Sequence, residues 1–288
     1  MWLKRRRTFT QFAQILNREY LDFEWMASKY SNLNETGFSE DIVPDIVHMV
    51  RFENHFLDFV TYISIKSILK NHKPKQLYIH CDCDDLKGKY WDLIDKSIIT
   101  VRNIERPKFI FGQKLSSVFH ASDVTRIKVL MDFGGIFVDN DVFVVKSLKP
   151  FLKFEFAIGW PMNDFLGTQV LVAHRSARFL KLWFDSYKDY KPFEWYYNAG
   201  ELPTNNILKK NPRLVHRVPE AFGVHNLVDY LYNKNVPENE WKSKFYAIHL
   251  LERHRSYLLP KQTIRLFNEH NIYNYSKTFG SMARSVLT

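Results

Sequence analysis

Two runs decide how this chain folds: Ser122-Asp123-Val124-Thr125-Arg126, then Gly134-Gly135-Ile136-Phe137-Val138-Asp139-Asn140-Asp141. Three carboxylates and an arginine stand around a Gly-Gly pair and a short apolar run. From Leu115 to Asp132 the apolar residues Leu115, Val118, Phe119, Val124, Ile127, Leu130 and Met131 recur at helical spacing. Asp123 and Arg126 are three residues apart and share one face of that helix. They line up with Phe119 and Leu130 at the edge of the apolar stripe. A charged pair there must be partnered or open on a cleft, because burying an unpaired charge is costly. Gly134-Gly135 then ends the helix, since glycine tolerates left-handed backbone angles. Ile136-Phe137-Val138 reads as a short buried strand aimed at Asp139. Two residues apart, Asp139 and Asp141 can both reach one divalent cation where that strand stops.

Outward from the motif, strands and helices alternate. Strands are expected at 45–50, Gln76–Cys81, Ile98–Arg102, Val142–Val145, Phe154–Gly159 and Thr168–Ala173. Helices are expected at His55–Leu69, Leu86–Asp95 and Ser176–Tyr190, the last capped by Ser176. This alternation argues for an α/β sheet with crossover helices, and ligands of such open sheets bind at the carboxyl ends of strands. Asp139 sits at such an end. Residues 1–40 are polar: Phe9–Tyr30 reads as an amphipathic helix with aromatics and 31–40 as a linker. That gives a helical extension, 1–40, ahead of one domain, 41–288. After 191 the pattern is broken by Pro192, Pro203, Pro212, Pro219 and Pro237. Loops of this kind carry specificity, so a substrate-selecting pocket is expected in 191–240.

Taken together, Ser122-Asp123-x-x-Arg126 and Gly134-Gly135-x-x-x-Asp139-x-Asp141 resemble the sugar-binding region of the DXD-type glycosyltransferases. That group includes Golgi α-1,4-galactosyl- and α-1,4-N-acetylglucosaminyltransferases, the yeast initiating mannosyltransferase and the large glucosylating bacterial toxins. Asp-x-Asp alone is common by chance; the composite is specific. Ile42-Val43-Pro44-Asp45-Ile46-Val47-His48-Met49-Val50 resembles the family's first strand, whose end abuts the nucleoside. Tyr246-Ala247-Ile248-His249-Leu250 resembles a C-terminal strand whose histidine can complete the metal site. The likeness covers most of residues 42–252, while Trp195–Ile207 matches no family motif.

The resemblance implies a GT-A fold, with a Rossmann-like, mostly parallel central sheet flanked by helices. It implies that Asp123 and Arg126 hold the donor sugar, that Asp139 contacts ribose and sugar or the metal, and that Asp141 coordinates the metal. His249 is the further metal ligand, with His254 a weaker rival, and His48 is placed near the nucleoside. It also implies a retaining hexosyltransferase using Mn²⁺ or Mg²⁺. The donor is a UDP-hexose, galactose or N-acetylglucosamine before glucose, with GDP-mannose remaining; the acceptor is a glycan or glycolipid. Carboxylate oxygens suit either cation, and an added histidine leans towards Mn²⁺. No nucleophile is named by the motif. Asp164, Gln169 and Glu201 follow it as polar candidates near the anomeric carbon, and a front-face mechanism needs none.

Composition fits this. Hydrophobic residues at 45% and charged residues at 25% are ordinary for a globular protein. The net charge of +10 suits nucleic acid, an anionic membrane surface or a nucleotide diphosphate. Basic residues are spread along the chain apart from Lys4-Arg5-Arg6-Arg7, so no nucleic-acid partner is expected. Cys81 and Cys83, at the end of a strand, are expected to be too far apart for an easy disulfide. No apolar run is long enough for a transmembrane helix, and no signal peptide is recognisable. The family implies the Golgi lumen or membrane, whereas the chain without an anchor is also compatible with a soluble cytoplasmic protein. The sequons Asn34-Glu35-Thr36 and Asn274-Tyr275-Ser276 would fit a lumenal one.

Two other readings stay open on sequence. Asp139-Asn140-Asp141-Val142 after an apolar strand also matches the haloacid-dehalogenase phosphatase pattern, in which Asp139 would be the nucleophile. That motif normally lies near the chain start and would leave Asp123 and Arg126 unexplained. The other reading is a nucleotide-sugar-binding relative without turnover.

Overall fold

A computed structural model describes residues 21–30, 33–258 and 264–287. Of the helix expected over Phe9–Tyr30, only α1 (Phe23–Lys29) falls within the described residues; the part before residue 21 lies outside them. The strands of the main sheet are β1 (Ile46–Arg51), β2 (Gln76–Cys81), β3 (Ile99–Asn103), β4 (Gly135–Val138), β6 (Phe156–Gly159), β7 (Val170–Ala173) and β8 (His216–Val218). A separate antiparallel ribbon pairs β5 (Val142–Val144) with β9 (Ala247–His249). The longer helices are α2 (Phe59–Ser67), α3 (Val118–Phe133), α4 (Arg178–Ser186) and α5 (Thr278–Leu287).

The sheet order is β8-β6-β7-β4-β1-β2-β3. β3, β2, β1 and β4 run parallel; β7 is antiparallel to its neighbours β4 and β6, and β8 is parallel to β6. The α/β class and the mostly parallel sheet are therefore as expected. β4, β6 and β7 are buried along their whole length, which is why they read as continuous apolar runs rather than alternating ones. Helices cover both faces. Val124, Ile127 and Leu130 of α3 pack with Phe179 and Trp183 of α4 in one apolar cluster. Ile63 of α2 joins Phe279, Met282 and Val286 of α5 in the other.

Local chemistry sets the element ends. Ser117 caps α3 by accepting the His120 N–H. Gly134 closes it at φ 65°, and its N–H donates to Leu130 O. Gly135, at φ 110°, lets β4 come up against β1: a Cβ there would lie 2.6 Å from Ile46 O. His48 occupies the same junction. Its Nε2 lies 3.0 Å from Gly134 O and its Nδ1 3.1 Å from His80 Nε2. A neutral His48 carrying its proton on Nε2, with His80 donating to it, satisfies both contacts.

Burial holds His48 at a pKa of about 3 and His80 at about 4, with nearby Arg102 adding to both. Arg102 lies over the Phe133 and Tyr78 rings that pack around the pair. Unfolded histidines protonate near pH 6.5, so below that pH the unfolded chain binds more protons and stability falls with pH until about 4. At pH 5 each ring is expected to cost about 2 kcal/mol relative to neutral pH. Urea unfolding at pH 7.5 and 5.0 tests this: His80→Gln should remove roughly half of the pair's share of the acid loss, and an unaltered loss would contradict it.

Several expectations are corrected. Segment 33–40 is no free linker: Leu33 and Phe38 are in the main core, and Phe38 N donates to Lys153 O. Ser176 does not cap α4. The helix starts at Arg178, and its N–H is received by the buried carboxylate of Glu155 (2.8 Å), which also pairs with the Arg178 guanidinium. Cys81 and Cys83 form a disulfide. The strand ends at Cys81 and the chain bends at Asp82, bringing the two Cα atoms to 5.1 Å, within the range a disulfide spans. Asn34 is buried, and its amide donates to Glu155 and to Arg213 O, so of the two sequons only the exposed Asn274 could be modified without unfolding. No helix among the described residues is long and apolar enough to cross a membrane.

Candidate functional site

A cleft of about 590 Å³ opens at the carboxyl ends of β1 and β4, a size typical of ligand sites. Val50 to Asn54 at the end of β1, with Asp58 and Thr61 of the α2 start, form one end. Asp139, Asn140 and Asp141 form the centre. Thr168, Gln169, Trp195 and Tyr196 line it as well, with His249, Glu252, Arg253 and His254 completing the wall.

Arg126 organises the centre. Its Nη1 donates to Asp139 Oδ2 (3.2 Å) and to Thr168 O (2.7 Å), and its Nη2 lies 3.0 Å from Asp123 Oδ1. The guanidinium also stacks on Phe137, 4.6 Å from the ring centroid. Asp123 and Arg126 are both buried. The charged pair at the edge of the helix stripe is thus partnered and faces the cleft, as the sequence required. Burial raises Asp139 to about 6; Arg126 opposes that rise and Asp141 adds to it. Burial likewise raises Asp123 against the pull of Arg126.

Asp141 is placed differently. Its Oδ2 lies 3.2 Å from His249 Nε2 and accepts the Glu252 N–H at 3.3 Å. Burial disfavours its charge, but His249 overcomes this and the carboxyl is held below its usual range. His249 is raised: burial disfavours its charge and Asp141 overrides it. The β5–β9 ribbon makes this pairing, because His249 is in register with Val142, the residue after Asp141. The Leu250 N–H donates to Asp141 O (2.7 Å), locking the two segments together.

An anionic oxygen and an imidazole nitrogen at this separation, with Asp139 two residues away, are donors suited to Mn²⁺ or Mg²⁺. Two polar atoms of cleft residues, Gln169 Oε1 and Asn140 Oδ1, are buried without a protein partner, as expected where a polar ligand completes the set. Asp141 and His249 thus offer a donor pair whose chemistry fits a divalent cation, while Asp139 is turned to Arg126 and does not join them in a group of three donors within 4.8 Å of one another. His254 also lines the cleft, with its Nδ1 buried and unpaired. Among the described residues, His55, Cys81 and Cys83 are the group whose donor atoms all lie within 4.8 Å of one another, and there the two sulfurs are bonded to each other.

The remaining sequence candidates separate. Gln169 lines the cleft, and its carbonyl receives the Asp139 N–H (2.9 Å). Asp164 and Glu201 are not among the lining residues. The Asp164 carboxylate is spent on the Phe165 N–H, and Glu201 ends the helical turn Tyr197–Glu201. His48 is also outside the cleft, with its ring enclosed behind the Gly134-Gly135 turn. The first strand contributes its end instead: Val50 O accepts the Asn140 amide at 2.7 Å.

Sequence reasoning passed over Asn140, Glu252, Arg253, Trp195 and Tyr196. Asn140 was legible as the middle of Asp-x-Asp, and Glu252 as a carboxyl three residues beyond His249. Burial pushes Glu252 up to about 7, against the pull of Arg255. Trp195 and Tyr196 carry no spacing signal.

A family model described as a glycosyltransferase sugar-binding region containing a DXD motif matches residues 11–157, just over half of the chain. Glucan organizing enzyme 1 of Cryptococcus neoformans var. grubii is 26% identical over an alignment of 172 residues, and the match covers 54% of this chain and 46% of that protein. The chain thus spans about half the length of that relative. Among solved structures, the galactosyltransferase LgtC in complex with donor and acceptor sugar analogues aligns with a TM-score of 0.46 at 13% identity, covering 84% of this chain and 96% of that one. GlyE of Streptococcus pneumoniae TIGR4 aligns with a TM-score of 0.48 at 12% identity, covering 85% and 63%.

Proposed function

Because this chain belongs to the family of glycosyltransferase sugar-binding regions containing a DXD motif, we propose that it is a metal-dependent retaining hexosyltransferase. It moves a hexose from a nucleotide-sugar, UDP-galactose or UDP-N-acetylglucosamine first, to a glycan or glycolipid. The observation that carries this is the side-by-side pairing of two clusters at the strand ends: Arg126 with Asp123 and Asp139, and Asp141 with His249.

Each cluster has a task in that reaction. The end of β1, with Glu53, Asn54 and the start of α2, receives the nucleoside. Asp123 and Asp139 accept hydrogen bonds from sugar hydroxyls, and Arg126 fixes both carboxylates so that they need not reorganise on binding. Asp141 and His249 hold the cation. A divalent cation there supplies Lewis-acid stabilisation of the charge that builds on the diphosphate as the sugar leaves. Gln169 stands beside Asp139 with its side-chain oxygen free, where it can orient the sugar ring. Asp139 is committed to Arg126, which suits a binding carboxylate better than the free nucleophile a phosphatase needs. The family's Golgi setting is proposed with the activity.

Calorimetric titration of UDP and of GDP, with Mn²⁺ and with EDTA, tests the reading. UDP binding that requires Mn²⁺ is the expected result; preference for GDP redirects the donor to mannose. If a folded protein binds neither nucleotide, the transferase reading is wrong.

A further inference from the structure

At the lip of the cleft, three side chains from separate parts of the chain meet without a task in donor binding. Phe119, from the first turn of α3, packs edge-on against Trp195, with ring centroids 4.9 Å apart and planes at 61°. The Arg253 guanidinium lies 3.9 Å from the Phe119 centroid and 5.1 Å from that of Trp195. All three line the cleft. Trp195 is 53% exposed and Phe119 39%, although the helical stripe in the sequence pointed Phe119 into the core. Neighbouring aromatic rings left in water and rimmed by polar groups mark a ligand groove.

The rings are displayed on a fixed frame. His120 Nε2 lies 3.3 Å from Trp195 O, and His120 Nδ1 lies 2.5 Å from the Tyr190 hydroxyl. The Ser116 hydroxyl donates to Pro192 O at 2.6 Å. The Trp195 loop is thus tied to the start of α3 at two places, so a ligand meets a surface already in place and little ordering cost remains.

We propose that Trp195, Phe119 and Arg253 form the acceptor subsite, a platform on which a pyranose ring of an oligosaccharide stacks. This rests on the transferase reading above. Position supports it. The Tyr196 hydroxyl, next to Trp195, donates to Leu166 O ahead of β7, and β7 borders β4 on the side away from β1, so the segment that carries Trp195 is anchored beyond β4 from the β1 end assigned to the nucleoside. An acceptor stacked there approaches the donor sugar from the side away from its nucleotide.

Chemistry selects the ligand class. One face of a pyranose presents a set of C–H groups, weakly positive and apolar, which match the negative face of an indole. The ring's hydroxyls project around the edge and need polar partners. Arg253 makes no ion pair among the described residues, so its N–H groups are available to them, while Phe119 holds the guanidinium in plane. A flat lipid tail would have no use for that cation, and a peptide hydroxyl would have no use for the shelf.

The test uses saturation-transfer NMR on the protein with Mn²⁺ and UDP, against laminaritetraose, cellotetraose, maltotetraose and chitotetraose. At least one tetrasaccharide is expected to receive saturation from aromatic protons. Trp195→Ala should weaken its binding more than tenfold, and Trp195→Phe should restore most of it, with UDP affinity measured by calorimetry on each variant. Equal saturation transfer in Trp195→Ala, or none to any of the four from a wild-type protein that binds UDP, overturns the subsite. A wild-type protein that does not bind UDP overturns the donor reading and the subsite with it.

Discussion

Asp141→Asn is expected to lower transfer, or donor hydrolysis in its place, by at least about 100-fold, a loss of roughly 3 kcal/mol of transition-state stabilisation. The substitution is isosteric. It keeps an oxygen for the Glu252 N–H and keeps the strand pairing through Leu250, but removes the anionic charge that a divalent cation requires. Isothermal titration should show Mn²⁺-dependent UDP binding in the wild type and little in the variant. Thermal midpoints in EDTA should agree within a few degrees, since about 1 kcal/mol moves Tm by about 2–4 °C in a chain approaching this size. A variant with full activity would remove Asp141 from the metal site and leave His249 paired to it for structural reasons only.

Arg126→Met should act on the fold as much as on the chemistry. The guanidinium is buried, and it serves Asp123, Asp139 and the Thr168 carbonyl at once. Methionine fills similar volume but leaves the buried Asp123 carboxylate and the half-buried Asp139 carboxylate without their shared cation. Breaking a buried pair from one side costs about 3–5 kcal/mol, and here two acids lose the same partner. Urea unfolding near neutral pH should show a loss of that order, with part of it recovered at lower pH as Asp139, already raised to about 6, takes up a proton. Arg126→Lys should recover only part, because an ammonium cannot span three acceptors in the fixed geometry of a guanidinium. A loss below about 1 kcal/mol would mean that water reaches the cluster freely.

Legibility in the sequence followed locality. α3, the Gly-Gly turn and β4 were readable because their signals lie within a few residues: helical spacing, a glycine pair, an apolar run. The same holds for β2, β3, β6 and β7, whose ends fall within about two residues of expectation. What failed depended on distant partners. The start of α4 is set by Glu155, 23 residues upstream, so the local Ser176 was the wrong cap. β8 is three residues long and lies between prolines, with no periodicity of its own. It exists because β6 offers it an edge. His48 looked like a nucleoside contact by position on the first strand, yet in-register pairing of β1 with β2 and β4 turned its ring into the sheet junction. In the site, the charged centre was legible because Asp-x-Asp and Asp-x-x-Arg are chemically unusual in an apolar setting. The aromatic lip was not, since exposed and buried aromatics look alike in a chain that is 16% aromatic.

The β5–β9 ribbon also fixes when the centre can exist. More than a hundred residues separate Asp141 from His249, and translation at about 5–20 residues per second puts a delay on the order of 5–20 s between them. During that interval the emerging chain can already hold β1 to β4 and the Arg126 cluster, while Asp141 faces water and β5 has an unpaired edge. A nascent protein stalled in that window would have the Arg126 cluster but not the Asp141–His249 pair. Completion of the centre therefore waits on the emergence of residues 247–249, more than a hundred residues after the carboxylate they meet.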